Sequence, residues 1–163
     1  MPRKQKRNKS REKGFGIIEI MIAAAIISLS LASLGFLGNF AIGIQAHLKQ
    51  NQVANNLAVE AMEVAKAAKN ENWVNFSSLA VDTEYHPEKG GDPIKWFFSP
   101  GTEIINGFSR RIIFSQVFRD GNDDISDIGT VDSNTRKITA VVSWNEKGRY
   151  YEVKLDSYLT NWK

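Results

Sequence analysis

Lys13-Gly14-Phe15-Gly16-Ile17-Ile18-Glu19 joins a basic leader to a long apolar run, and the rest of the chain is read outward from it. Upstream, seven of the first thirteen residues are basic (Arg3, Lys4, Lys6, Arg7, Lys9, Arg11 and Lys13), against a single acid, Glu12. Downstream, Glu19 is the only ionisable side chain between Phe15 and Ile44, and no proline interrupts that run. The pattern predicts one continuous helix. A hydrocarbon core about 30 Å thick takes about 20 helical residues, so the run is long enough to cross it. A carboxylate one turn inside a membrane segment is costly, which makes Glu19 a candidate functional residue. Gly14, at the boundary between water and membrane, leaves the Gly14–Phe15 peptide bond open to a peptidase. An ordinary secretory signal fits less well. Its apolar core is short and ends in an A-x-A-like cleavage site, whereas here the run is long and the cleavable bond precedes it.

This arrangement resembles the class III signal of the type IV pilin and type II secretion pseudopilin superfamily. There a basic leader ends in Gly, followed by Phe and then by Glu four residues further on, the places held here by Gly14, Phe15 and Glu19. The resemblance implies cleavage after Gly14 by a prepilin peptidase/methyltransferase, N-methylation of Phe15, and assembly through Glu19. It implies as partners other pilin subunits, an inner-membrane assembly platform, and the lipid bilayer before assembly. An uncleaved signal anchor whose Glu19 snorkels to the headgroups is the alternative reading of the same residues.

The formal charge of +3 conceals two opposite parts. The leader 1–14 carries +6, and the remainder, with 14 basic and 17 acidic side chains, carries −3. The basic excess therefore marks a cytoplasmic tail, not a nucleic-acid surface, and no specific nucleic acid is implied. By the positive-inside rule, everything after the helix is exported: a single-pass inner-membrane protein, then an extracytoplasmic filament or cell surface. With no cysteine in 163 residues, the exported part has no disulfide framework. Many pilins close a C-terminal loop with a disulfide, so the chain departs from them and must hold its fold by packing.

Three glycines, Gly35, Gly38 and Gly43, cluster in the second half of the apolar run and mark its flexible part. Each costs roughly 0.5–1 kcal/mol of helix stability relative to Ala. Ser28, Ala32 and Gly35 share one face, which suits close helix packing and equally the general tolerance of small residues in membrane helices. From Gln45 to Glu71 the helix continues but becomes amphipathic. Val53, Leu57, Ala61 or Met62, Val64, Ala65 and Ala68 recur on one side, leaving Gln50, Asn55, Glu60, Glu63 and Lys66 outward.

After Glu71 the pattern changes. Asn72, Asn75, Ser77 and Ser78 break the helix, and Pro87, Gly90, Gly91, Pro93, Pro100 and Gly101 mark turns, so residues 72–107 read as irregular, with a short strand at 94–98. Phe108, Arg110, Ile112, Phe114, Gln116 and Phe118 then alternate with Ser109, Arg111, Ile113, Ser115, Val117 and Arg119, a strand pattern. A β-branched run from Lys137 to Trp144, a turn at Asn145-Glu146-Lys147-Gly148, and the alternation Tyr151, Val153, Leu155 predict an antiparallel hairpin. The fold class is α+β: a long N-terminal helix packed on a small C-terminal antiparallel sheet. The expected organisation is a leader at 1–14 that is removed, a transmembrane and filament-core helix at 15–44, its amphipathic continuation at 45–71, a variable region at 72–107 and a sheet at 108–163. Asn56-Leu57-Ala58-Val59-Glu60-Ala61-Met62-Glu63 followed by Trp73, the run Thr135 to Trp144, and the ending Tyr158-Leu159-Thr160-Asn161-Trp162 resemble the PilV-like minor pilins.

No catalytic constellation, cofactor motif or metal-ligand spacing emerges, and the chain reads as a non-enzyme. His47 and His86 are far apart in sequence and read as surface residues. Asp120, Asn122, Asp123 and Asp124 form the one weak Ca²⁺ candidate, but the run lacks EF-hand order and reads better as a solvated turn. Trp73, Trp96, Phe97 and Phe98 offer stacking faces without a basic cluster, which favours core or subunit-contact packing. The function implied is a structural subunit, a minor pilin of a type IV pilus-like filament. The alternatives are an uncleaved membrane-anchored surface-binding protein and a minor pseudopilin of a type II secretion system.

Overall fold

The computed structural model describes residues 16–161. The fold is α+β: a long N-terminal helix and an antiparallel sheet of seven strands. The chain divides into two compact units, one up to Gln45 and one from Ala46 onward. The helix α1 runs Ile17–Glu71, 55 residues without a break. Within the first unit it is bare: every residue from 16 to 42 is exposed.

In the second unit the helix is amphipathic, as the spacing requires, but its buried stripe is made of small residues. Ala54, Ala58, Ala61 and Ala65 are each fully buried, at i, i+4, i+7 and i+11, with Met62 and Val64 beside them. Val53, expected inward, is exposed, and Asn55 is half-buried with its amide donating to Asn51. The stripe lies one residue away from the larger aliphatics because the sheet opposite it is aromatic. Alanine lets the helix backbone come close, and Phe108, Phe114, Trp144 and Tyr151 fill the space between. Phe114 is the hub: the rings of Phe76, Tyr85 and Phe98 meet it edge-on at 5.4, 5.7 and 5.1 Å.

The stretch expected to be irregular holds four elements. Asn72 ends α1 and caps the short helix α2 (Trp73–Ser77), its side chain accepting the Asn75 N–H. Then come β1 (Glu84–Gly90), β2 (Lys95–Pro100) and β3 (Glu103–Ile105). The sheet therefore begins well before residue 108, and the strand foreseen at 94–98 sits one residue later. Pro87 hid β1. Beyond Tyr85 that strand pairs with β2 alone, so a proline costs no ladder bond on its open side. The Asn106-Gly107 turn that joins β3 to β4 was the overlooked hairpin signal, with φ of 50° and 86°.

β4 (Phe108–Arg119) is the central strand. On one side it pairs along nearly its whole length with β6 (Thr130–Glu146); on the other it meets β3, β1 and β5 (Ile125–Ser126) in succession. β7 (Arg149–Thr160) completes the order β2-β1-β4-β6-β7. The alternation foreseen for β4 holds from Phe108 to Phe114 and then breaks. A bulge between Gln116 and Phe118 turns Val117 inward, at 2 % exposure, in place of its neighbours. β6 and β7 form the expected hairpin, closed by Lys147 and Gly148 at φ 50° and 78°.

Candidate functional site

α1 opens on Gly16, whose carbonyl accepts the N–H of Glu19 at 3.0 Å and of Ile20 at 3.3 Å. Glu19 stands in the first helical turn, exposed, where the helix dipole favours an anion. Gly14, Phe15 and the basic leader lie outside the described residues. Around Glu19 the surface is wholly apolar, with Ile17, Ile18 and Met21 at 81, 74 and 66 % exposure. The helix is long and apolar enough to cross a membrane, and none of its most apolar window is buried within the chain. Water does not tolerate such a surface; lipid or other apolar helices must cover it. The three serines of this stretch already suit that environment. Ser28, Ser30 and Ser33 donate to the carbonyls of Ala24, Ile26 and Leu29 at 2.8, 2.8 and 2.9 Å, so no hydroxyl is left bare. Gly35, Gly38 and Gly43 are helical, and a Cβ at any of them would meet nothing within 4 Å. Packing inside this chain does not explain three glycines.

In the second unit the two histidines are more than surface residues. His47 Nδ1 lies 2.8 Å from Glu146 Oε2, and its ring packs on Tyr151 with centroids 4.7 Å apart. Tyr151 stacks in turn on Trp144 at 5.5 Å. The contact joins residues 99 apart in sequence, which no local spacing signals. His86 is half-buried on β1 with its Nδ1 unpartnered among the described residues. Among the described residues neither imidazole meets a nucleophile.

The acidic loop folds on itself and on Arg119. Asp120 Oδ1 accepts the N–H groups of Asn122 and Asp124 at 2.8 and 3.1 Å. The Arg119 guanidinium donates to Asp132 Oδ2 at 2.7 Å and to the Asp123 carbonyl at 2.7 Å. The hydrogen bond from Arg119 holds the Asp132 carboxyl below its ordinary pKa, and the same bond raises Arg119. Among the described residues no three acidic or histidine side chains converge on one point. The loop is held by its own backbone N–H groups on Asp120 and by the Arg119 guanidinium. Of the aromatic group, Trp73 and Phe98 pack against the core, whereas Phe97 is 43 % exposed and Lys89 Nζ lies 4.3 Å over the ring of Trp96.

Residues 9–35 match the family model described as the prokaryotic N-terminal methylation motif. No curated protein and no solved structure matches the chain. The matched stretch contains the bond Gly14–Phe15, Glu19 and the first half of the bare helix. It supports the type IV pilin and pseudopilin class, which implies processing by a prepilin peptidase and assembly with other pilin subunits. It points to a structural subunit and not to an enzyme. The motif and the apolar helix near the N-terminus together fit a single-pass protein anchored in the inner membrane.

Proposed function

We propose that this chain is a minor pilin: a structural subunit cut after Gly14, N-methylated on Phe15 and polymerised through α1 into a type IV pilus-like filament. The observation that carries the proposal is the coincidence of the methylation motif at 9–35 with a helix whose side chains are exposed from residue 16 to 42. A subunit made to pack helix against helix needs that surface. The leader keeps the scissile bond at the cytoplasmic face, and the bilayer stores the helix until assembly. The length of the chain and the PilV-like stretches in the second unit favour a minor over a major subunit.

In this reading Glu19 drives assembly electrostatically. Cleavage frees the α-amine of Phe15, with an ordinary pKa of about 8, and methylation retains its charge. Neither that cation nor the Glu19 carboxylate is tolerated alone in an apolar filament core, whereas a pair offsets much of each desolvation cost. An incoming subunit whose Glu19 meets a neighbour's Phe15 amine is held in register, and a misplaced one is penalised. Replacing Glu19 with Gln, beside Glu19→Asp, tests this. Cleavage should persist in both, since the scissile bond is unaltered, while incorporation into filaments should fall sharply for Gln and less for Asp. Wild-type incorporation of the Gln variant would remove Glu19 from the assembly mechanism.

A further inference from the structure

The second unit carries its charge unevenly along β6. That strand runs 17 residues, Thr130–Glu146, roughly 50 Å at about 3.3 Å per residue. At the Thr130 end gather Asp120, Asp123, Asp124, Asp127 and Asp132, with Arg119 the one cation among them. At the Glu146 end the signs reverse. The β6–β7 turn and the start of this unit's part of α1 bring together Lys49, Lys147 and Arg149 against one acid, Glu146. From residue 46 onward the chain has 16 acidic and 14 basic side chains, so a basic end does not reflect the average composition.

The cations at this end are uncommitted. Lys49, Lys147 and Arg149 are exposed, and among the described residues none of them has an ion-pair partner. Glu146 is spent on His47 and its side chain is only 12 % exposed. Leu48 and Tyr150 stand exposed at the same end. The His47 contact also fixes where this end lies. His47 follows Ile44, the last residue of the apolar run, by three positions, and three residues of chain reach at most about 11 Å in any conformation. Lipid headgroups occupy roughly 5–7 Å on each side of the hydrocarbon core. The turn pinned to His47 is therefore tethered beside the headgroups wherever α1 spans a bilayer.

We infer that this end of the second unit binds anionic phospholipid headgroups of the bilayer that holds α1, through Lys147, Arg149 and Lys49. The inference rests on the reading of α1 as a membrane span. A Lys or Arg near an anionic surface favours contact by about fivefold. Tyr150 adds an amphipathic ring of the kind that settles at the interface. A zwitterionic surface offers these cations no net charge to meet. The acidic end is repelled by the same lipids whenever it approaches them. Screening confines both effects to about 8 Å at physiological salt, so the two ends together select which end of the unit rests on the bilayer before assembly.

The chain has no cysteine, so a single fluorophore can be placed at either end. Asn145→Cys labels the basic turn and Asn122→Cys the acidic loop. Both are read in the full chain in lipid nanodiscs that carry a quencher on a trace of the headgroups. Adding phosphatidylglycerol to phosphatidylcholine discs should raise quenching at 145 severalfold and leave 122 unquenched, and high salt should reverse the rise. Lys147→Asn combined with Arg149→Gln should cut the ratio of docked to free protein about 25-fold. Asparagine tolerates the positive φ of 50° at position 147, so the turn is kept. Equal quenching at 145 in the two lipids, or wild-type quenching in the double variant, would overturn the inference and leave the anchor standing. A chain that fails to enter the discs would overturn the anchor, and the inference with it.

Discussion

Arg110 is a charge under the helix. It points to the core side of β4 and is only 3 % exposed. Its Nε and Nη2 lie 2.7 and 2.6 Å from Glu103 Oε1, and its Nη1 is 3.4 Å from both Glu60 Oε2 and the Leu57 carbonyl. One side chain thus ties α1, β3 and β4 together within the second unit. Removing the partner of a buried charge costs more than removing the charge itself. Glu103→Ala should lose about 3 kcal/mol in urea unfolding, while Arg110→Met, which keeps the volume and leaves only a half-exposed acid behind, should lose much less. Two of the three carboxylates with depressed pKa values, Asp132 and Asp156, act on acid stability. Asp132 is lowered by the hydrogen bond from Arg119, and Asp156 by that from Thr139 and then by Lys137. A carboxyl whose folded pKa lies below its unfolded one contributes fully above the unfolded value and loses that contribution as pH falls through the folded one. Stability should therefore decline on acidification below about pH 4, and Asp132→Asn should flatten that decline.

At the scale of elements, α1 is one helix with two surfaces and one weak stretch. In the second unit the alanine stripe against aromatic rings is densely packed. In the first, Gly35, Gly38 and Gly43 leave open space on a helix that is otherwise regular. Three glycines in nine residues lower helix stability by roughly 2–3 kcal/mol relative to alanine, so this stretch is where the helix opens most easily. In assembled filaments, hydrogen exchange at residues 35–43 should be faster than in the turns on either side. Equal protection would assign the glycines to close helix contact alone. The sheet distributes its order differently. β4 is paired along nearly its whole length by β6, and its other side is covered piecemeal by three short strands, so β3, β1 and β5 depend on β4 and not the reverse.

At the scale of the whole molecule, the prediction concerns what is removed from it. Mass spectrometry of protein recovered from membranes should give a chain beginning at Phe15 and one methyl group heavier than its sequence, and Gly14→Leu should leave the precursor intact. Normal processing of that variant would refute the cleavage. The helix from Ile17 onward, the carboxylate in its first turn, the strand at 108–119 and the middle of the last strand, 151–156, were legible in the residues themselves. Each follows from short-range physics: unbroken apolarity, the cost of a charge in lipid, and the period-2 alternation of a half-buried strand. Other features depended on what lies across from a residue in space. Which stripe of α1 is buried was decided by the aromatic sheet it faces, since that choice needs alanines and not the larger Val53. Pro87 could enter a strand only because β1 has one open side there, and Val117 turns inward only because a bulge resets β4 against β6. The His47–Glu146 pair and the basic end that it fixes bring together residues distant in the chain. Local sequence sets the elements and their periods; their register against one another, and every site formed between them, was decided by the tertiary fold.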